Sequence, residues 1–164
     1  KVRFTSNHDQ CAWDGTAIDI YGGLDASLAA FAATLFYPGV PLIYTGQETG
    51  WNIQIPFFSN SVVNWNYGTS TLERYKKLMN AYTNNDEFKS GVLNDYSSSE
   101  LICFNRIING EKAWCLVNSK NIISTFILPL ELQNFSGVNL LDGSSFTING
   151  STISLNPYEV LVFK

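Results

Sequence analysis

The rhythm of apolar and polar positions changes near residue 88, and the change splits the chain into two textures. Before it, short apolar runs alternate with stretches of helical spacing. Residues 2–6 and 41–45 are apolar runs that pass into polar knots, Asn7-His8-Asp9-Gln10 after the first and Gly46-Gln47-Glu48 after the second. Each reads as a strand that empties into a loop and then a helix. Between them Leu24, Leu28, Phe31, Ala32, Leu35 and Phe36 recur at helical spacing with Ala-rich filling, and Pro38-Gly39 is a stop signal. A second amphipathic helix is carried by Leu72, Tyr75, Leu78, Met79 and Tyr82 and ends in the turn-forming Asn84-Asn85-Asp86.

From about Lys89 onward the helical period disappears. Short β-rich runs at 101–107, 113–118, 124–128, 138–141, 145–148, 152–155 and 159–163 are separated by Asn, Gly and Ser, the density of strands expected of a small antiparallel sandwich. Asn109-Gly110 predicts a two-residue hairpin turn, which sets Cys115 opposite Phe104 and turns Cys103 to the other face. In that register the two cysteines are not placed to form a disulfide.

Two parallel β/α units cannot close a sheet, and the helix between them covers only one face of the strands. The expectation is that the chain opens inside a fold whose other strands come from upstream. A (β/α)8 barrel is the economical form, because it puts both polar knots at the C-terminal ends of neighbouring strands, where barrel enzymes build their sites. The predicted architecture is therefore α+β. Residues 1–88 form the last two β/α units of a TIM barrel, and residues 89–164 form an antiparallel β-sandwich.

Composition narrows the classes of function. With 164 residues, 45% of them hydrophobic and 15% charged, the chain suits one ordinary domain or two small ones with real cores. A net charge of -4 lacks the basic stripe that phosphate binding needs, so no nucleic acid partner is expected. The apolar stretch at 28–44 is broken by Pro38, Gly39 and Pro41, so no membrane span is expected either. The three cysteines, Cys11, Cys103 and Cys115, match neither a zinc site nor a redox pair and read as small buried hydrophobes.

Taken alone, Asn7-His8-Asp9 reads as a turn that caps the next helix, since Asn and Asp satisfy free backbone donors. Its surroundings change that reading. Val2-Arg3-Phe4-Thr5-Ser6-Asn7-His8-Asp9 resembles the seventh-strand motif of the α-amylase family (glycoside hydrolase family 13). The segment from Pro38-Gly39-Val40-Pro41 to Gly46-Gln47-Glu48 resembles the eighth strand of the same family, and the order and spacing of the two agree. The resemblance runs on through Trp13-Asp14-Gly15-Thr16 and Pro56-Phe57-Phe58 to a terminal all-β domain ending in Leu155-Asn156-Pro157-Tyr158-Glu159-Val160-Leu161. Where some members carry a basic or acidic residue after the Asp, this chain has Gln10 and Cys11.

The resemblance implies retaining cleavage of α-glucans, starch or maltooligosaccharides, through an oxocarbenium-like transition state flanked by two carboxyl groups. In that scheme Asp9 stabilises the transition state by accepting hydrogen bonds from sugar hydroxyls, and His8 donates to the same sugar. The nucleophile and the general acid lie on earlier barrel strands, so the segment alone is expected to be inactive and to need the N-terminal part of its own barrel as partner. Glu48 reads as structural. Asn7 is a weak substrate-binding candidate, better suited to orienting the loop. Trp13 is equally suited to stacking on a sugar and to packing on the adjacent helix. Trp51, Trp65 and Trp114 are expected in a core or a domain interface. No cofactor or metal ligand is assigned in this segment, the family's calcium sites depending largely on segments absent here, and export to the periplasm or exterior is the expectation for the parent.

Two other classes compete. A non-catalytic carbohydrate-binding module would present two or three exposed aromatics on one face of the sandwich, whereas Phe104, Trp114, Phe126, Phe135 and Phe163 sit among apolar neighbours suited to a core. A β-domain that docks on the barrel would instead show a dry apolar seam facing the barrel.

Overall fold

The computed structural model describes all residues from Lys1 to Lys164. It begins with a minimal parallel pair, β1 (Val2–Arg3) and β2 (Val40–Pro41), in which Val2 lies opposite Val40 and Arg3 opposite Pro41. Three helices connect them: α1 (His8–Trp13), α2 (Ala17–Tyr21) and α3 (Leu24–Phe36). The first two are short turns of helix, of which α1 holds three of the four residues of the polar knot, and the third is the helix that the spacing predicted. Tyr37 leaves α3 with extended backbone, as a residue before proline must. Gly39 then holds φ +154, and a Cβ there would meet Arg3 Cγ at 2.5 Å, so only glycine lets the chain turn this tightly against β1.

Strands expected over 2–6 and 41–45 are paired over only two residues each. Beyond Arg3 and Pro41 both chains peel into side-chain contacts. Val2, Phe4, Val40 and Leu42 stay exposed where the sequence predicted burial, because no other strand of this chain lies beside the pair.

A 3-10 turn (Gln47–Thr49) and a long segment without regular structure lead to α4 (Thr69–Thr83), which buries the stripe Thr71, Tyr75, Leu78 and Ala81. The predicted turn at 84–86 holds a further short helix, α5 (Asp86–Ser90), started by Asn85. Asn85 donates to Ala81 O at 2.7 Å, which ties the two helices together.

The remainder is antiparallel. Strands β3 (Val92–Asp95), β4 (Leu101–Ile108), β5 (Glu111–Asn118) and β10 (Val160–Phe163) form one sheet in the order β10-β5-β4-β3. Two ribbons accompany it: β6 (Ser124–Ile127) with β9 (Thr152–Leu155), and β7 (Ser136–Val138) with β8 (Ser145–Thr147). Asn109 and Gly110 both have positive φ, 54 and 89, and the hairpin pairs Phe104 with Cys115 as its turn type requires. The strand expected at 138–141 lies two residues earlier, and β3 carried no periodic signal.

Both faces of the main sheet are covered. On one side Phe104, Ala113, Cys115, Val117 and Val162 share a core with Leu28, Phe31, Leu35 and Phe36 of α3, Tyr75 and Leu78 of α4, and Phe88 of α5. On the other, Leu101, Cys103, Trp114, Leu116 and Phe163 pack against Phe126, Leu128, Leu132, Ile148 and Leu155 of the ribbon layer. The near-continuous apolarity of β5 follows from this double cover. Arg106 is buried within the sheet and donates to Gly91 O at 2.8 Å and to Phe36 O at 3.2 Å, so its guanidinium caps the C-terminal end of α3. No helix is long and apolar enough to cross a membrane.

Candidate functional site

The polar knot after β1 is built from a helix cap. Asn7 has extended backbone, and its side-chain oxygen accepts from Gln10 N at 2.9 Å, which starts α1. The capping role that the isolated motif predicted is thus filled by Asn7, and its side chain is occupied there. His8 and Asp9 follow in the first turn with side chains two-thirds exposed, and His8 Nε2 lies 3.6 Å from Asp9 Oδ2. An acid in the first turn also suits the positive end of the helix. Trp13 stands one helical turn beyond Asp9, at the spacing that puts two residues on one face, and is 71% exposed.

Turn chemistry fixes the exit from α1. Gly15 has φ +125, and a Cβ there would sit 2.9 Å from Asp19 Cβ. Thr16 caps α2: its hydroxyl accepts from Asp19 N at 3.4 Å, while the Asp19 carboxylate accepts from Thr16 N at 2.9 Å and Thr16 Oγ1 at 2.8 Å. The run Asp14-Gly15-Thr16 is therefore a fixed corner between two short helices.

Behind the knot lies a buried polar tether that the sequence did not announce. Gln47 Nε2 donates to Thr5 Oγ1 at 2.6 Å and to Tyr75 OH at 3.0 Å, joining the approach to the knot, the turn after β2 and α4. Burial pushes the Tyr75 phenol well above its usual value, and the nearby Glu48 carboxylate adds to the shift while the Gln47 bond opposes it. Three buried oxygens near this region, Ser6 Oγ, Gln10 Oε1 and Glu48 Oε2, have no hydrogen-bond partner. Ser6 lines a cavity of about 10 Å3 with Thr16, Ser27, Tyr44 and Gln47, space for a single water-sized sphere.

Aromatic rings extend the wall. Phe57 meets His8 edge-on at 5.7 Å between centroids, lies 5.7 Å from Trp13 and 5.9 Å from Phe58. The structure thus brings His8, Asp9 and Trp13 together and adds Phe57 and Phe58 to them. Trp114 is in the core as expected, and Trp51 packs edge-on against Tyr67 at 5.2 Å. Trp65, expected in a core or an interface, is 55% exposed because its segment runs over the surface without regular structure. No group of three or more His, Cys, Asp or Glu side chains is placed to hold a metal ion.

Solved structures share this arrangement of elements. The trehalulose synthase MutB from Pseudomonas mesoacidophila MX-45 superposes with a TM-score of 0.72 at 17% identity, over 98% of this chain and 42% of that one. A MutB mutant in complex with glucose gives a TM-score of 0.74 at 18% identity, again over 98% of this chain and 42% of that one. The isomaltulose synthase PalI from Klebsiella sp. LX3 gives 0.72 at 17% identity, over 99% of this chain and 42% of that one. The fold is that of the C-terminal part of these enzymes.

The chain thus spans well under half the length of the solved proteins it matches. No protein-family profile and no curated protein matches its sequence. Within the shared fold, His8 and Asp9 stand just past the C-terminal end of a parallel strand, which is where barrel folds gather reacting groups.

Proposed function

We propose that this chain is the C-terminal part of an α-amylase-family glycoside hydrolase, completing the sugar-binding side of a barrel whose remaining strands supply the nucleophile and the general acid. Asp9 is the transition-state stabiliser in this reading. Its carboxylate accepts hydrogen bonds from sugar hydroxyls, which strengthen as the ring distorts and positive charge develops. His8 donates to the same ring. Asn7 orients both through the cap, and the Gln47 tether fixes the strand end from which they project.

The observation that carries the reading is the exposed His8–Asp9 pair at 3.6 Å, past a strand end in a fold shared with sugar-converting enzymes at a TM-score of 0.74. A carboxylate and an imidazole left open to solvent on the wall of a site are free to serve a ligand, and hydrogen bonds to the ionised carboxylate are about twice as strong as neutral ones. In this reading the nucleophile and the general acid come from the remaining strands of the barrel, so the segment by itself is expected to hydrolyse nothing.

α-Glucans are the substrates proposed. The likeness to sucrose-converting structures, one of them a MutB mutant in complex with sucrose, makes sucrose the substrate to test beside them. The β-sheets act as a docking layer, a role supported by the continuous core shared by α3 and the main sheet and by the burial of Phe104, Trp114, Phe126 and Phe163.

The test is release of reducing sugar from soluble starch and maltooligosaccharides, and isomerisation of sucrose, by the full-length protein and its Asp9→Asn variant after both are shown to fold. Loss of turnover by orders of magnitude with sugar binding retained supports the reading. Unchanged turnover removes Asp9 from the chemistry, and a folded parent inactive on every sugar removes the proposal.

A further inference from the structure

The strand β6 pairs with β9 alone, so its other edge faces no strand. Leu128 N donates to Ser151 O at 2.9 Å, one step beyond the pairing of Ile127 with Thr152. Main-chain groups alternate along an antiparallel strand, so those of Phe126 and Leu128 point to β9 and those of Thr125 and Ile127 point outward. Side chains alternate as well. Phe126 and Leu128 are buried in the core beneath the ribbons, whereas Ile123, Thr125 and Ile127 are exposed.

Strand edges are ordinarily guarded by charge, proline or a covering element. Here Ile122, Ile123, Ile127 and Leu130 are 63%, 67%, 83% and 83% exposed, and no charge occurs between Lys120 and Glu131. The other open edges are charged or polar. β3 ends in Asp95, β8 exposes Ser145 and Thr147, and β9 exposes Thr152 and Ser154.

This edge selects its partner. It offers a sugar no aromatic face, since Phe126 is buried. A lipid surface would cover the aliphatic side chains but leave the outward N–H and C=O groups unpaired in hydrocarbon. Another β-strand satisfies both. Two copies of a chain of net charge -4 repel one another, and an uncharged strip is where they meet at least cost. The strip is also complementary to itself. Antiparallel pairing about Thr125 sets this residue opposite its own copy and sets Ile123 opposite Ile127 twice, aliphatic against aliphatic.

We infer that β6 is the interface of a twofold dimer of this chain, in which the β6 strands of two copies pair antiparallel about Thr125 and join their ribbons into one four-stranded sheet. Each copy offers one such edge, so the assembly closes at two. The inference is independent of the chemistry proposed for His8 and Asp9.

The experiment is sedimentation velocity of the full-length protein over a dilution series, joined to a cross-linking assay. A reversible dimer is expected, with a Kd in the micromolar range that suits a small interface. Ile127→Lys sets a charge against the aliphatic row twice per dimer and is expected to weaken association at least about tenfold, with the far-ultraviolet spectrum unchanged. Cysteines read the register, the three native ones being buried. Across the axis the Cα atoms at position 125 lie about 5.5 Å apart, within disulfide reach, while those at 127 are offset by roughly 13 Å along the strands. Thr125→Cys should therefore give a covalent dimer on mild oxidation, and Ile127→Cys should not. A protein that is monomeric at every concentration overturns the inference, as it would if the upstream chain or another partner covers β6. So does a dimer indifferent to Ile127→Lys, or cross-linking that is as efficient at 127 as at 125.

Discussion

Gln47 donates its side-chain amide to Thr5 Oγ1 at 2.6 Å across 42 positions of sequence, inside the protein. Thr5 precedes the cap residue Asn7 by two positions, so this one bond registers the end of β1 against the turn after β2. The same nitrogen reaches Tyr75 OH, and all three groups lie in buried surroundings. Gln47→Leu keeps the volume and removes the donor. It should destabilise the fold by about 1–3 kcal/mol, the cost of leaving buried polar groups unpaired, read as a lower denaturant midpoint.

Arg106 should prove as important to the other half. Its guanidinium has no carboxylate partner and bonds the carbonyls of Gly91 and Phe36 instead. Arg106→Met keeps much of the apolar stem and strands both carbonyls, with an expected loss of about 2–4 kcal/mol in chemical denaturation.

Phe36 and Phe88 meet at 4.5 Å between ring centroids, and both are fully buried. Either one changed to alanine opens a cavity between α3 and α5. The expected cost is about 3–5 kcal/mol, measured by urea unfolding followed in the far ultraviolet.

Alkaline pH should weaken the protein through its thiols. Burial, assisted by the Asp95 carboxylate, pushes the Cys103 thiol from 9.0 up to about 12, and burial also raises Cys115 well above its usual range. The folded state therefore holds these protons more tightly than the unfolded one. The resulting stability is complete below pH 9 and is lost progressively as pH rises from there toward 12. Cys103→Ala should flatten the fall in unfolding midpoint between about pH 8 and about pH 10, roughly one unit either side of the unfolded thiol. In native protein all three cysteines should resist a thiol reagent that reacts freely after unfolding, since each is buried.

What could be read in advance depended on how local the cause was. The helix of Leu28, Phe31 and Leu35 and the hairpin of Asn109-Gly110 were legible because spacing and turn type act within a few residues. The short helix at Asp86 was not, since Asn84-Asn85 signals a stop equally well whether a loop or another helix follows. β3 was hidden because Val92 and Leu93 give only two apolar positions, and its identity comes from pairing with Arg106 and Ile107. At the site, Asn7, His8, Asp9 and Trp13 lie within seven residues of sequence and could be found together. Gln47 and the Phe57-Phe58 pair act across long separations, and nothing in their immediate neighbours distinguishes a tether from a turn, or an exposed ring from a buried one.

The helix α3 is shared property. Leu28, Phe31, Leu35 and Phe36 share a single core with α4, α5 and the four-stranded sheet, and Arg106 of that sheet holds the helix end. The first texture therefore has no interior of its own, and the second owns the core beneath its ribbons but shares the one under α3. Amide protons of α3, α4 and β5 should exchange with solvent through a single global opening, with one common free energy, despite the change of rhythm near residue 88. The consequence is practical: a cut at that point would release not two small domains but two halves of one cooperative unit, each with its apolar side facing water.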